Sequence, residues 1–336
     1  MIPSWMRFSD GNFIENSVID EKGMTTDKPL TKKQKESHLK VSAIMTKDLF
    51  ETSQNDFIFT AETTPAVSTN LKENIQKVSN LIGVADAVNI TDAPNCKPKL
   101  SSLVVAGEIQ KSGLDVILQI TGRDRNSIAL ESEILGALSL GINKILCLSG
   151  DRPPEDGPKA VNEMNSSNLI DLLKTMSGGQ LSDGTEIKEP IRLVSGCADS
   201  IHDHFIREKH SDFFVKKVGL GVSFVQTQYC YDLELCQKYS QFISDNNLSN
   251  TTKFIVGLGP LKSAKQASWM RDNLYGVKIP DSIIQRLDQS TSPLSEGKKI
   301  CEEIIAELMK LEGIGGVHLM GPNCEDQCAE LIKTFR

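Results

Sequence analysis

The sequence predicts a closed (β/α)8 barrel of the TIM type behind an N-terminal extension. Three observations carry this reading. Eight short apolar runs, rich in β-branched residues, punctuate the chain from residue 57 onward. Stretches with helical period separate most of them. No glycine-rich dinucleotide fingerprint follows the first run, which leads into Glu62-Thr63-Thr64-Pro65. An open doubly wound sheet is therefore the weaker alternative.

The runs occupy residues 57–62, 86–91, 115–120, 144–149, 191–196, 222–228, 253–259 and 316–320. Runs this short, flanked by turn formers, read as strands buried on both faces. Between them, Leu130, Ile134, Leu135 and Leu138 share one helical face. Leu235, Tyr239, Phe242 and Ile243 share another, as do Ile300, Ile304, Leu308 and Leu311. Gly141, Gly219 and Gly313 sit where helix C-termini favour glycine. The barrel is assigned to residues 51–336 and the extension to 1–50, partly ordered. The extension is polar, lacks a sustained period, and carries Lys32, Lys33 and Lys35, a solvated face or a contact patch.

A net charge of −7 over 336 residues argues against nucleic-acid binding. No apolar run is long enough for a membrane span, and the first residues do not read as a secretory leader. A cytoplasmic protein with eight free thiols is the expectation. Cys324 and Cys328 lie four apart on a helix, and no Cys or His pair accompanies them, so no metal is expected. His202-Asp203-His204 has metal-ligand spacing but no evident third ligand; it reads as a loop near a cofactor or as plain surface.

Barrel chemistry sits where strands end at their C-termini. The first strand ends in Glu62, the second in Thr91-Asp92. The third contains Gln119 and leaves through Arg123-Asp124-Arg125. The fourth leaves through Gly150-Asp151-Arg152-Pro153-Pro154, and alternation puts Gln226 and Gln228 of the sixth on one face. Each alone has a plainer role: Asp151 as a turn or helix cap, Glu62 as a cap before Pro65. Arg152 to about Ser167 reads as a long rim loop, either a cofactor wall or a surface insertion.

Three segments then match something specific. FTAETTPA (59–66), LSGDRPP (148–154) and TQYCYD (227–232), with RDRN (123–126), resemble in order and spacing the methylenetetrahydrofolate reductase family. The resemblance implies FAD as cofactor, NADH or NADPH as co-substrate, a folate substrate and a homo-oligomer. It makes Glu62 the general acid, Asp151 the flavin-facing aspartate, and Gln228 the contact to folate and nicotinamide. It places Thr91, Asp92, Gln119, Gly150 and Gly196 along the flavin, with Lys216 and Lys217 as a basic pair near it. The chain departs from the family pattern in having Ser149 in place of arginine, Gln119 in place of histidine, and Asp92 in place of an aromatic residue.

The implied chemistry needs a proton on a folate ring nitrogen and an ionised carboxylate near the resulting cation, which Glu62 and Asp151 would divide between them. Two other functions compete. The glycine-bearing exits of strands seven and eight, Gly257-Leu258-Gly259-Pro260 and Gly321-Pro322-Asn323, suit a phosphate-binding lyase or isomerase. A non-catalytic partner in a methyl-transfer complex, docked through the extension, is the third reading.

Overall fold

The computed structural model describes residues 56–336, together with residues 49–50 and the backbone at 18–19 and 25–26. The chain divides into two compact units, Met1–Thr52 and Ser53–Arg336. In the first, Val18–Ile19 pairs antiparallel with Thr25–Thr26. The lysine cluster at 32–35 lies outside the described residues.

The second unit is a closed barrel of eight parallel strands in chain order. They are β1 (Ile58–Thr63), β2 (Ala87–Ile90), β3 (Val116–Thr121), β4 (Lys144–Leu148), β5 (Val194–Asp199), β6 (Phe224–Tyr229), β7 (Lys253–Leu258) and β8 (Ile314–Leu319). β8 closes on β1 with Val317 opposite Phe59 and His318 opposite Thr60. Helices cover the outer face of the barrel and side chains fill its interior, so β3 and β7 are buried at every residue. Isoleucine, valine and leucine from strands and helices form one continuous shell between the two layers.

Two sequence expectations shift. The fifth strand starts at Val194 rather than 191 and runs through Gly196 to Asp199. Gly196, the last residue of the apolar run 191–196, is placed along the flavin by the family resemblance, yet an added Cβ there would lie 2.1 Å from the Phe224 ring. Glycine is there because Phe224 fills the barrel interior. Gly196 is thus a packing position in mid-strand. The second shift concerns the helix Ser127–Ser139: Leu130 and Ile134 are buried but Leu135 faces outward, and Ala137 takes its place in the core.

The barrel interior turns polar toward the strand C-termini. Asn89, Gln226 and His318, all from even-numbered strands, are almost fully buried and join with Thr60. Asn89 and Gln226 exchange amide hydrogen bonds at 2.7 and 3.1 Å. The Gln226 amide also donates to Thr60 Oγ1 at 3.1 Å, and Thr60 Oγ1 lies 2.9 Å from His318 Nδ1. Buried amides keep this layer only because each is partnered.

Candidate active site

A cavity of about 850 Å³ opens above that polar layer. Its floor holds Glu62, Gln119, Gln226 and His318; Gln228 and Met320 flank it. Glu62 is the fifth residue of β1, so the strand itself aims it into the mouth. Gln119 Nε2 donates to Glu62 Oε2 at 3.0 Å. His318 Nε2 stands 3.6 Å from the same oxygen. Gln226 Nε2 lies 3.3 Å and Thr60 Oγ1 2.9 Å from His318 Nδ1, which fixes the ring with Nε2 facing Glu62. Groups from β3 and β8 therefore orient one carboxylate. The Tyr229 hydroxyl is pushed well above its usual pKa by burial and then by the charge of Glu62.

Gln228 lines the cavity, and its Oε1 accepts from its neighbour's backbone, Tyr229 N, at 3.0 Å. Lys217 lies on the cavity wall and donates to the Ala198 carbonyl at 3.4 Å, whereas Lys216 is exposed on the same helix, α6 (His210–Val218). The first turn of α4 (Ser166–Ser177) also brings Ser166 and Ser167 to the cavity, and Arg207 adds a second cation. The first-turn N–H groups of α4 are already bonded, Ser166 N to Ser149 Oγ and Ser167 N and Asn168 N to the Asn165 side chain, so the two cations are what this lining offers an anion.

Other rim residues do not line the cavity. Asp92 is buried, and its oxygens take Arg125 at 2.7 and 3.1 Å and Thr121 at 2.9 Å. It ties the end of β2 to the exit of β3. Thr91 donates to Thr64 Oγ1 at 3.1 Å. Asp151 is exposed, three residues past β4, and accepts from Asn95 N at 2.7 Å. Gly150 turns the chain there with φ +90°, and a Cβ on it would sit 2.8 Å from that of Arg123. The facing loop carries Ala93, Asn95 and Cys96 at positive φ, a strained turn held against Asp151. Asp232, which closes the TQYCYD segment, caps a helix: its side chain accepts from Glu234 N and Leu235 N.

The rim loop after β4 is tied down. Val161 N donates to Arg123 O at 2.8 Å, and Met164 packs its carbonyl where Gly122 has no side chain. The glycines leaving β7 are likewise used for packing. A Cβ on Gly257 would meet the Thr227 carbonyl at 2.3 Å, and one on Gly259 the Met320 carbonyl at 2.0 Å.

Two groups escaped sequence reasoning. His318 lies inside the apolar run 316–320, where alternation alone marks it as inward-facing. Asp199 ends β5 and was hidden by the misplaced strand boundary. Its carboxylate is fully buried. Burial alone would raise its pKa, but hydrogen bonds from His204 and His210, and then from Tyr239, hold it well below the usual carboxylate range.

Fold and rim together define a (β/α)8 barrel with a cofactor-sized, ionisable cavity at its C-terminal mouth. The chain belongs to the methylenetetrahydrofolate reductase family, whose profile matches residues 47–336. It is 25% identical over 239 residues to methylenetetrahydrofolate reductase 2 of Schizosaccharomyces pombe, covering 67% of this chain and 36% of that protein. To a probable NADPH-type methylenetetrahydrofolate reductase of Caenorhabditis elegans it is 23% identical, covering 70% and 34%. To the 5,10-methylenetetrahydrofolate reductase of Salmonella typhimurium it is 22% identical, covering 69% and 74%. The matches thus span about a third of the yeast and nematode proteins. Among solved structures, an uncharacterized Clostridium thermocellum protein that binds two copies of 5-methyl-5,6,7,8-tetrahydrofolic acid shares the fold, with a TM-score of 0.59 at 16% identity over 84% of this chain and 96% of that one. Among the described residues, no helix is long and apolar enough to cross a membrane.

Proposed function

We propose that this protein interconverts 5,10-methylenetetrahydrofolate and 5-methyltetrahydrofolate, with FAD as cofactor and NADH or NADPH as electron donor. The observation that carries the reading is Glu62, at the family's motif position, held on the cavity floor by Gln119 and faced by His318. The cavity fits the cofactor. Its volume is at the upper end for ligand clefts, its floor is polar, and Lys217 and Arg207 on its lining supply cations for a diphosphate. Bound FAD supplies hydride chemistry.

The remaining steps fall to the chain. Glu62 delivers a proton to a ring nitrogen of the folate, the aminal C–N bond breaks, and a cationic iminium remains for hydride to attack. Ionised Asp151 stabilises that cation from the rim. Gln228 positions the folate and, in the other half-reaction, the nicotinamide. Gln119 bounds the flavin side, with Thr91, Asp92 and Gly150 shaping the rim behind it; Lys217, with Lys216 outside the cavity, serves the phosphates. On this reading the protein acts in the cytoplasm and self-associates, and residues 1–50 are an extension outside the catalytic unit.

The test is anaerobic. Purified protein reconstituted with FAD is bleached with NADH or NADPH, then given methylenetetrahydrofolate. Bleaching followed by recovery of flavin absorbance supports the reading. Protein that FAD cannot reconstitute, or recovery that does not depend on folate, removes it.

A further inference from the structure

Beside the cavity, three potential ligand atoms converge that the proposed reduction does not use. Asp199 ends β5; His204 sits in α5 (Asp203–Ile206); His210 opens α6. His204 Nε2 lies 2.9 Å from Asp199 Oδ2, and His210 Nε2 lies 3.1 Å from Oδ1. One ligand atom from each falls within 4.8 Å of the others. The two imidazoles meet edge-on, 4.6 Å between centroids.

Each ligand is also oriented from behind. Ser211 Oγ holds His204 Nδ1 at 2.9 Å, and Tyr239 donates to Asp199 Oδ2 at 2.6 Å. Such outer partners set ring orientation and ligand basicity in metal sites. Phe214 and Phe242 pack on the His204 ring and keep the inner side dry. The outer side borders the cavity: Asp199 and His210 both line it, and His210 is the partly exposed member. Ser200, next in the chain and on the same wall, has a buried hydroxyl with no hydrogen-bond partner among the described residues.

The donor set is of the right kind: one buried carboxylate with two imidazoles beside it. The nearby Lys217 ammonium is bonded to the Ala198 carbonyl. Each imidazole nitrogen lies about 3 Å from one oxygen of the carboxylate, and all three ligand atoms fall within 4.8 Å, a span that one ion can bridge as in two-histidine, one-carboxylate sites with open positions. Imidazole nitrogen selects transition ions over Mg²⁺ and Ca²⁺, which prefer all-oxygen sets.

We propose that Asp199, His204 and His210 bind one divalent first-row transition ion, with its remaining positions open to the cavity for water or an oxygen donor of a bound ligand. This does not depend on the flavin reading.

The test uses the full chain without a polyhistidine tag, stripped with chelator and dialysed. Zn²⁺ is titrated by calorimetry, Co²⁺ by visible absorption, and Mg²⁺ serves as the comparison ion. One Zn²⁺ or Co²⁺ per chain is expected, with d–d bands of nitrogen and oxygen ligation and no thiolate charge-transfer band. Asp199→Asn and His210→Gln should each weaken binding at least about 100-fold, and Ser211→Ala about tenfold. Cys324→Ser should bind as wild type. His210 is partly exposed, so its variant decides the matter should Asp199→Asn unfold. Absence of stoichiometric binding, equal binding of Mg²⁺, wild-type affinity in His210→Gln, or loss of the ion in Cys324→Ser would each overturn the site and leave the cluster a hydrogen-bonded brace.

Discussion

Glu62 and Asp151 are both carboxylates at the mouth of the same barrel, yet the fold holds them in different ways. Glu62 lies within β1, its side chain 22% exposed, oriented by groups from β3 and β8. Asp151 lies beyond β4 on a turn made by Gly150, exposed, and bonded to the backbone of a strained neighbouring loop. A strand fixes direction because its side chains alternate and its neighbours are in register. A turn fixes direction only through its own local bonds. The barrel therefore offers one carboxylate whose position follows from the whole sheet, and one whose position follows from two loops.

The largest expected effect is at the sheet-held carboxylate. Glu62→Gln should leave flavin reduction by nicotinamide intact and slow flavin reoxidation by folate about 10²–10⁴-fold, the usual worth of a general acid. Equal slowing of both phases would place Glu62 in the framework rather than the chemistry.

His318→Gln addresses how the sheet does its holding. Losing one orienting contact is worth about 0.5–1.5 kcal/mol, so the folate step should slow by about tenfold or less, in kcat more than in KM. Unchanged kcat would mean that Gln119 alone suffices.

Asp151→Asn should cost less. An exposed charge interacts through solvent at about 0–1 kcal/mol, which is up to about fivefold in the folate step. A loss as large as that of Glu62→Gln would mean that bound ligands close over this turn, and the contrast would then hold only for the free protein.

Deleting residues 1–40 should have the smallest effect: a folded barrel that retains flavin absorbance and melts within a few degrees of the full chain. Insoluble protein or lost flavin would show that the extension contributes to the barrel.

The sequence by itself determined the barrel, because both-face burial writes each strand as an unbroken apolar run and the eight runs are countable. It also marked Glu62, Gln119 and Gln228, since a polar residue inside or ending such a run has nowhere to point but the mouth. The motif resemblance ordered them into one family. What only the tertiary structure decided were the partners. Thr60, Asn89, Gln226 and His318 meet across the barrel from strands as much as 258 residues apart, and no local pattern records that. Gly196 reads as the end of a strand until Phe224 is seen beside it. Asp92 looks like a cavity residue until Arg125, 33 positions on, claims its oxygens. His204 lacks a third ligand in the sequence because Asp199 was assigned past the end of a strand, and the sixth position after His204 carries no helical or strand repeat to link it to His210. Hydrophobic periodicity reports which face of an element is buried; it carries no information about which polar group waits on the other side.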